Sequence, residues 1–210
     1  MVTKEAKIRI ISCSVLQAEL EELVKQGELD ADLTYVSKYF HVDYSLLEEN
    51  LRQTIKENLP LSSQGSVLVY GDLCLGPNNE MKQLAAEYGL TKVDALNCVD
   101  CLLGGKRKSL LADPNHDLML MTSGMSEFFK DVQEQASREG IGDDVIRKLF
   151  TGLRGFVIID TLGEAEKIRE VIKDMDTGLP ILETKTVGLD NLLQVIREAQ
   201  QKNQQKRHQY

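Results

Sequence analysis

The sequence has little of what marks secreted, membrane-spanning or nucleic-acid-binding chains. The first residues carry Lys4, Glu5, Lys7 and Arg9, so the uninterrupted apolar stretch of a secretory signal is missing. No window approaches the roughly 18 to 20 apolar residues that a helix needs to span a bilayer. With 25 basic against 33 acidic residues, a net charge of −8 and a pI near 5.0, the chain also lacks a basic excess. We therefore expect a cytoplasmic protein with no membrane segment and no nucleic-acid partner.

What the chain does have is a repeated alternation of strand-like apolar runs and helix-like apolar stripes. Its 210 residues are 42% hydrophobic, enough for a substantial core. The alternation predicts an α/β fold, a three-layer domain with a mainly parallel sheet that divides into two Rossmann-like halves near residue 110. The predicted strands are 7–12, 33–40, 66–70, 93–96, 118–121, 156–159 and 181–183. We expect one domain over residues 1–199 and a disordered polar tail at 200–210.

Three of the four cysteines lie directly beyond predicted strands. Cys13 follows the first, Cys74 follows SVLVYGDL and Cys98 follows VDALN. Loops beyond the carboxyl ends of parallel strands share one edge of the sheet, where ligands bind, so residues distant in sequence can converge there. In a reducing compartment structural disulfides are not expected. The placement therefore predicts a thiolate site, against the alternative that each cysteine is a small buried apolar residue.

Cys98 and Cys101 add the local spacing Cys-Val-Asp-Cys. A two-residue gap lets both thiolates reach one metal, or close a redox disulfide of the thioredoxin type, which would leave the other two cysteines unexplained. Soft thiolate ligands favour zinc or a [4Fe-4S] cluster over magnesium or calcium. The predicted metal ligands are therefore Cys13, Cys74, Cys98 and, for the fourth position, Cys101 or His41, which follows the second predicted strand.

Two polar pairs near the same edge are candidates for cofactor binding. Asn78 and Asn79 end a strand-to-helix loop whose backbone N–H groups could hold an anion, although the loop lacks the Walker lysine and the full glycine fingerprint. Thr122 and Ser123 follow the fifth predicted strand and could face a substrate across the crevice. Helix capping is the alternative for both pairs, and Thr161 with Glu164 forms a capping-box pattern further on.

The strand-end residues resemble the family of the domain of unknown function numbered 1638 (DUF1638), found in methanogenic archaea and anaerobic bacteria. Members are expected to carry an early Cys, a His after the second strand, a Tyr-Gly-x-Cys-Gly-like turn and a later Cys followed by an acidic residue. Here these match Cys13, His41, Tyr70 to Cys74, and Cys98 with Asp100. The chain departs from the pattern by one extra residue before Cys74, by Leu75 in place of Gly, and by Cys101.

The resemblance implies a place in anaerobic one-carbon metabolism, because genes of this family often lie near those for corrinoid-dependent methyl transfer. Three functions follow as hypotheses. The first is a protein that binds a metal or an iron–sulfur cluster through its cysteines. The second is a zinc-thiolate methyl or alkyl transferase acting on a thiol. The third is a non-catalytic accessory protein that binds a corrinoid or its methyltransferase. The chain lacks the Asp-x-His-x-x-Gly signature of many corrinoid carriers, so axial ligation of that kind is not expected.

Overall fold

Two parallel sheets form the framework of the protein. The structure is a computed structural model, and it describes residues 7–58, 66–140 and 147–207. The first sheet has the strand order β2-β1-β3-β4 and the second the order β5-β6-β7. Neighbouring strands are parallel throughout both sheets. The predicted α/β class with parallel strands is confirmed, with the strands divided between two sheets.

The strands and helices alternate along most of the chain. The strands are β1 Ile8–Cys13, β2 Ala31–Val36, β3 Ser66–Val69, β4 Thr91–Lys92, β5 Leu118–Met121, β6 Gly155–Asp160 and β7 Ile181–Thr186. The α-helices are α1 Gln17–Lys25, α2 Tyr44–Asn58, α3 Glu80–Glu87, α4 Cys98–Leu102, α5 Lys108–Ala112, α6 Ser123–Arg138, α7 Ala165–Asp174 and α8 Asp190–Arg207. Two short 3-10 helices, Ser14–Leu16 and Lys38–Val42, follow β1 and β2.

The central strands are buried on both faces, as parallel strands covered by helices must be. Every residue of β3 and of β6 is buried. Helices α2 and α3 supply the core on one face of the first sheet, and α6 and α7 do so for the second. A third core cluster combines α1 and α8 with residues of both sheets, including Val67 and Val157. The two sheets therefore share apolar core, and folding of one is coupled to the other.

The carboxyl ends of the two sheets meet directly. Gly124, in the first turn of α6 after β5, lies against the loop that follows β1. A Cβ atom at Gly124 would lie 1.9 Å from the carbonyl oxygen of Val15, so only glycine fits this approach. Helix α8 then returns to the first sheet and contacts α4, β3 and β4. This arrangement places the loops after β1 beside those after β5.

Several sequence predictions need correction. The fourth strand is Thr91–Lys92 and not 93–96, because residues 94–97 turn to meet the loop after β3. The second strand ends at Val36, where Ser37 opens a 3-10 helix. Residues 200–207 are helical and not disordered: they extend α8, and Asn203 is buried. Residues 208–210 of the predicted tail lie outside the described residues. Within the described ranges, no helix combines the length and the apolar character needed to cross a membrane.

Candidate functional site

The carboxyl ends of all four strands of the first sheet contribute to one edge. In spatial order, β2 leads to His41, β1 ends at Cys13, β3 leads to Tyr70 and Cys74, and β4 leads to Cys98. In the sheet, β2 lies on one side of β1 and β3 lies on the other, so the connections to them run in opposite directions. The switch point between β1 and β3 is where open parallel sheets form their ligand crevice. Cys13 and Tyr70 flank it.

Cys13 and His41 are in contact. The Sγ atom of Cys13 lies 3.8 Å from Nδ1 of His41, and the backbone N–H of Val15 donates to the same sulfur at 3.4 Å. The 3-10 helix that carries His41 is tied to the end of β1, because the backbone N–H of Lys38 donates to Ser14 Oγ at 2.8 Å. Burial lowers the pKa of His41, which favours the neutral imidazole that a metal requires.

Two loops bring Cys74 towards Cys98. The backbone N–H groups of Asp72 and Leu73 donate to the carbonyl oxygens of Ala95 and Leu96 at 2.8 and 3.0 Å. Gly71 permits this pairing, since a Cβ atom there would lie 2.1 Å from the carbonyl oxygen of Leu96. The Tyr-Gly pair in the resemblance motif therefore has a physical role. It lets the loop after β3 lie against the loop after β4.

Asp100, the acidic residue of the same motif, organises the Cys98 to Cys101 turn. Its side chain is fully buried and accepts hydrogen bonds from the backbone N–H groups of Leu96, Arg107 and Ser109 at 2.9, 3.1 and 2.9 Å. Asn97 caps α4 by accepting from the N–H of Asp100 at 2.8 Å. These bonds fix α4, and with it both of its cysteines, relative to the sheet.

A partly buried lysine contacts both loops of the thiol edge. Lys92 donates to the carbonyl oxygens of Tyr70 and Ala95 at 3.2 and 3.4 Å, and its Nζ lies 2.7 Å from Oδ1 of Asp72. Burial raises the pKa of Asp72, but the hydrogen bonds from Lys92 and Lys82 outweigh it and the pKa is lowered overall. Lys92 thus links the two cysteine loops and places a positive charge near Cys74 and Cys101.

All four thiols are held in their neutral form. Burial raises the pKa of Cys13 to about 12 and that of Cys74 to about 11, and it raises the pKa values of Cys98 and Cys101 as well. Cys74 adds to the rise at each of the other three cysteines, so their sulfur atoms lie within electrostatic range of it. Cys13 and Cys101 are buried, whereas Cys74 and Cys98 are partly exposed, and all four are free.

Tyr70 places a phenol beside this thiol group. Its ring stacks on the imidazole of His41 with centroids 6.3 Å apart and planes inclined by 7°. The side chain is 2% exposed, and its hydroxyl has no hydrogen-bond partner in the described part of the chain. Burial raises its pKa well above the usual value, with Cys13 and Cys74 as the next causes. A buried hydroxyl without a partner is costly, which makes Tyr70 a donor available to a ligand at this edge.

The predicted metal ligands therefore share one edge of the sheet without forming a closed coordination shell. Cys13 and His41 are adjacent, Cys74 and Cys98 are brought together by their loops, and Cys101 is the most deeply buried of the set. Over the described ranges, no three His, Cys, Asp or Glu side chains already stand at the spacing that would hold a metal ion. Binding would require these thiols to draw together.

Asn78 and Asn79, predicted to bind a cofactor, lie in an exposed turn. The backbone N–H of Asn78 donates to Oε2 of Glu80 at 2.7 Å, and Asn79 Oδ1 accepts from Lys82 at 3.2 Å. Asn79 has a left-handed backbone, with φ of 67°, at the start of α3. Both side chains are engaged in local turn contacts.

Thr122 and Ser123 lie at the carboxyl end of β5. Thr122 Oγ1 caps α6 by accepting from the N–H of Met125 at 3.3 Å, whereas Ser123 Oγ donates to Oε2 of Glu164 at 2.8 Å. The capping box predicted at Thr161 does not form. The hydroxyl of Thr161 instead donates to Oε1 of Glu19 at 2.9 Å. The carboxyl of Glu19 is buried, and buried polar groups are nearly always hydrogen-bonded.

Sequence reasoning missed three residues that the structure makes prominent: Tyr70, Lys92 and Glu19. Tyr70 was named only as part of a turn motif, and no pattern shows that its hydroxyl lacks a partner. Lys92 ends a strand of two residues, too short to be detected by alternation. Glu19 looks like an ordinary helix glutamate, yet it is fully buried. Its position among the apolar residues Leu16, Leu20 and Leu23 was the available signal.

Comparison with known families identifies the relationship but assigns no activity. The sequence profile of the family described as "Protein of unknown function (DUF1638)" matches residues 35–195. The chain belongs to this family. The DUF1638 match includes His41, Cys74, Cys98 and Cys101, while Cys13 lies before it. The chain has no match among curated proteins or among solved structures.

Proposed function

We propose that this DUF1638 protein binds a thiophilic metal centre, zinc or an iron–sulfur cluster, at the carboxyl edge of its first sheet. The supporting observation is the unpartnered hydroxyl of Tyr70, buried beside Cys13 and Cys74. Buried polar groups are nearly always satisfied, so an unpartnered donor within electrostatic range of two thiols suits a site completed by a bound group. Cys74 and the three other free cysteines, each within electrostatic range of it, supply the donor set.

The residues divide into ligands and supporting groups. Cys13, Cys74 and Cys98 would hold the centre, with Cys101 or His41 at the fourth position. When bound, a zinc ion or an iron–sulfur cluster would supply Lewis acidity or electron transfer and keep its sulfur ligands in the thiolate form. The Tyr70 hydroxyl would donate to a thiolate sulfur or to an exogenous ligand. Lys92 and Asp100 would hold the loops that carry the cysteines.

The partial exposure of Cys74 and Cys98 supports access from solvent to the centre. A place in anaerobic methyl transfer, with a corrinoid or a methyltransferase as partner, remains a prediction from the resemblance. The zinc-thiolate transferase hypothesis requires the same cysteines. Zinc in the purified protein would be compatible with this enzymatic version of the proposal, whereas an iron–sulfur cluster would contradict it.

Anaerobic purification followed by elemental analysis and visible and EPR spectroscopy tests the proposal. We expect about one zinc or about four iron atoms per chain. Cys74→Ser should lose the metal, because Cys74 acts electrostatically on each of the other three thiols. Substoichiometric metal without cluster absorption, in protein never exposed to oxygen or chelator, would overturn the proposal.

One histidine variant and one cysteine variant test which residue is the fourth metal ligand, and a second histidine variant is the control. His41→Gln should lower metal content if the imidazole is the fourth ligand, while Cys101→Ala should do so if the thiol is. His116→Asn is the control: His116 lies in a turn before β5 with a left-handed backbone, which asparagine tolerates. Its metal content should equal that of the wild type. If neither His41→Gln nor Cys101→Ala lowered the metal content, an exchangeable group would occupy the fourth position.

A further inference from the structure

A short 3-10 helix, Lys38–Val42, carries His41 to the thiol edge; we call it the His41 helix. None of its residues is buried. From it, Nδ1 of His41 lies 3.8 Å from Sγ of Cys13. One contact with the first sheet, from the backbone N–H of Lys38 to Ser14 Oγ, ties the helix at its first residue. A short 3-10 helix has poor hydrogen-bond geometry and adds little stability of its own. Because burial does not fix the His41 helix, further contacts with its neighbours must do so.

Helix α6 of the second sheet supplies such contacts to two neighbouring side chains of the His41 helix. The hydroxyl of Tyr39 donates to Oδ2 of Asp131, and the ring centroids of Tyr39 and Phe128 lie 5.8 Å apart. Nζ of Lys38 lies 3.3 Å from Oε2 of Glu127. Glu127 and Asp131 are four residues apart, so they share one face of α6. One face of α6 therefore contacts two consecutive residues of the His41 helix.

A line of aromatic rings connects this part of α6 to the core of the second sheet. From Phe128 the ring contacts continue through Phe129 and Phe150 to Phe156, with successive centroids 5.5, 5.4 and 5.6 Å apart. Phe156 lies in β6 and is fully buried. Tyr39 extends this line by one ring. Aromatic pairs of this kind contribute about 0.5 to 1.5 kcal/mol each beyond their burial. The packed core of the second sheet thus reaches the His41 helix through Tyr39.

The contact made by Tyr39 is the stronger of the two. Glu127 is 49% exposed and is shared with Lys167 at 3.7 Å, so solvent screens its ion pair with Lys38. Tyr39 is itself 45% exposed, but it combines a ring contact with a hydrogen bond to a carboxylate. Hydrogen bonds to a charged group are about twice as strong as neutral ones. Tyr39 is therefore the side chain that chiefly fixes the His41 helix to α6.

We propose that Tyr39 is a positioning residue of the thiol edge: its bond to Asp131 lets the second sheet hold the imidazole of His41 against Cys13. The inference rests on the proposed function only where it makes His41 a metal ligand. Removing a side chain that orients a metal ligand typically lowers metal affinity about 10- to 100-fold. Because Tyr39 acts through the His41 helix and does not contact the imidazole directly, we expect a smaller effect.

Modification of His41 by diethyl pyrocarbonate, followed by mass spectrometry, measures how firmly the imidazole is held in the metal-free protein. We expect Tyr39→Phe to raise the modification rate about threefold or more, because losing the hydrogen bond favours local opening of the His41 helix. Asp131→Ala removes the acceptor and should raise the rate in the same way. Asp131→Asn keeps an acceptor oxygen and should restore a rate near that of the wild type.

Tyr44→Phe is the matched control for the loss of a hydroxyl. Tyr44 is 56% exposed at the start of α2, five residues beyond Tyr39. Its variant should leave the modification rate of His41 unchanged, and His116 provides an internal reference in every protein. Equal rates for His41 in Tyr39→Phe and Tyr44→Phe would overturn the proposal. A wild-type rate in Asp131→Ala would do the same.

Anaerobic titration of the same proteins with Zn²⁺ separates this inference from the proposed function. Bound zinc should protect His41 from the reagent in the wild type, and Tyr39→Phe should raise the dissociation constant for zinc about threefold or more. Asp131→Asn and Tyr44→Phe should bind zinc as the wild type does. Unchanged zinc affinity in Tyr39→Phe would overturn the role of Tyr39 at the metal centre. A wild type that holds neither zinc nor a reconstituted cluster would overturn the proposed function, and the modification rates would then decide whether Tyr39 positions His41.

Discussion

The first sheet presents thiols, an imidazole and a phenol at the carboxyl ends of its strands, whereas the second presents carboxylates and hydroxyls. Both edges are built by the same parallel topology, and they adjoin where Gly124 meets Val15. At the first edge the thiols are neutral, because burial raises their pKa values. At the second edge Glu164 is anchored by Ser123 and Glu19 is buried with one free oxygen. One framework can therefore display two kinds of donor, soft sulfur and hard oxygen, side by side.

The largest expected effect comes from separating the two cysteine loops. Gly71→Ala would place a Cβ atom 2.1 Å from the Leu96 carbonyl oxygen, and backbone cannot yield cheaply at such a distance. We expect a loss of about 3 kcal/mol in the free energy of unfolding, measured by urea denaturation, together with loss of bound metal. The second edge should be affected only through the shared core.

Gly27→Ala is the control for this loss. Gly27 has a φ of 74°, and a Cβ atom there meets nothing within 4 Å. The left-handed backbone should cost about 1 kcal/mol without changing metal content. Equal losses of stability and of metal in the two variants would contradict the proposed role of Gly71.

An intermediate effect is expected from Asp100→Asn. The amide nitrogen that replaces one carboxylate oxygen cannot accept the backbone N–H bonds made there, so at least one buried amide loses its partner. We expect a loss of about 2 kcal/mol and a less ordered Cys98 to Cys101 turn. Amide hydrogen exchange at residues 96–109 measures the second effect.

Asp94→Asn serves as the comparison in the same segment, because Asp94 is exposed. Its stability should stay within about 0.5 kcal/mol of the wild type. Unchanged hydrogen exchange in Asp100→Asn would show that the buried carboxylate does not organise the turn.

The smallest expected effect concerns the second edge and depends on pH. Burial raises the pKa of Glu19 above its ordinary value of 4.5, with the nearby carboxylates of Glu164 and Glu127 adding to the rise. The folded state therefore favours the protonated carboxyl. Its contribution to stability is complete below the unfolded pKa and is lost as pH rises through the folded pKa. Glu19→Gln has no such proton to lose.

Relative to Glu19→Gln, the wild type should lose stability as the pH rises above about 4.5, the ordinary pKa of a glutamate carboxyl. Urea denaturation at several pH values measures the difference. Glu57→Gln, an exposed substitution, should follow the wild type at each pH. A difference between wild type and Glu19→Gln that stayed constant, or grew towards low pH, would contradict the account of the buried carboxyl.

The two edges also differ in how far they could be predicted from sequence. The convergence of Cys13, Cys74 and His41 follows from their placement after strands that apolar runs reveal. Cys98 reached the same edge although its strand was misplaced, because the loop after β4 is drawn back by the hydrogen bonds to Asp72 and Leu73. Sequence spacing identifies such residues when the strand order brings their strand ends together.

Partners set by tertiary contact could not be predicted in this way. Thr161 matched a capping pattern, but its hydroxyl donates to Glu19, which lies 142 positions away in the sequence. Thr122, and not Ser123, caps α6, and the Ser123 hydroxyl donates to Glu164 instead. Tyr70 and Lys92 gain their importance from what surrounds them in space. The local spacing of residues in a single sequence does not encode those contacts.

X-ray absorption at the zinc and iron edges of the anaerobically purified protein tests the central proposal most directly. It reports which atoms surround the metal, independently of any activity. The proposed thiolate centre predicts three or four sulfur neighbours at about 2.3 Å, reduced in Cys74→Ser. A metal surrounded only by nitrogen and oxygen, or protein without either metal, would contradict the account.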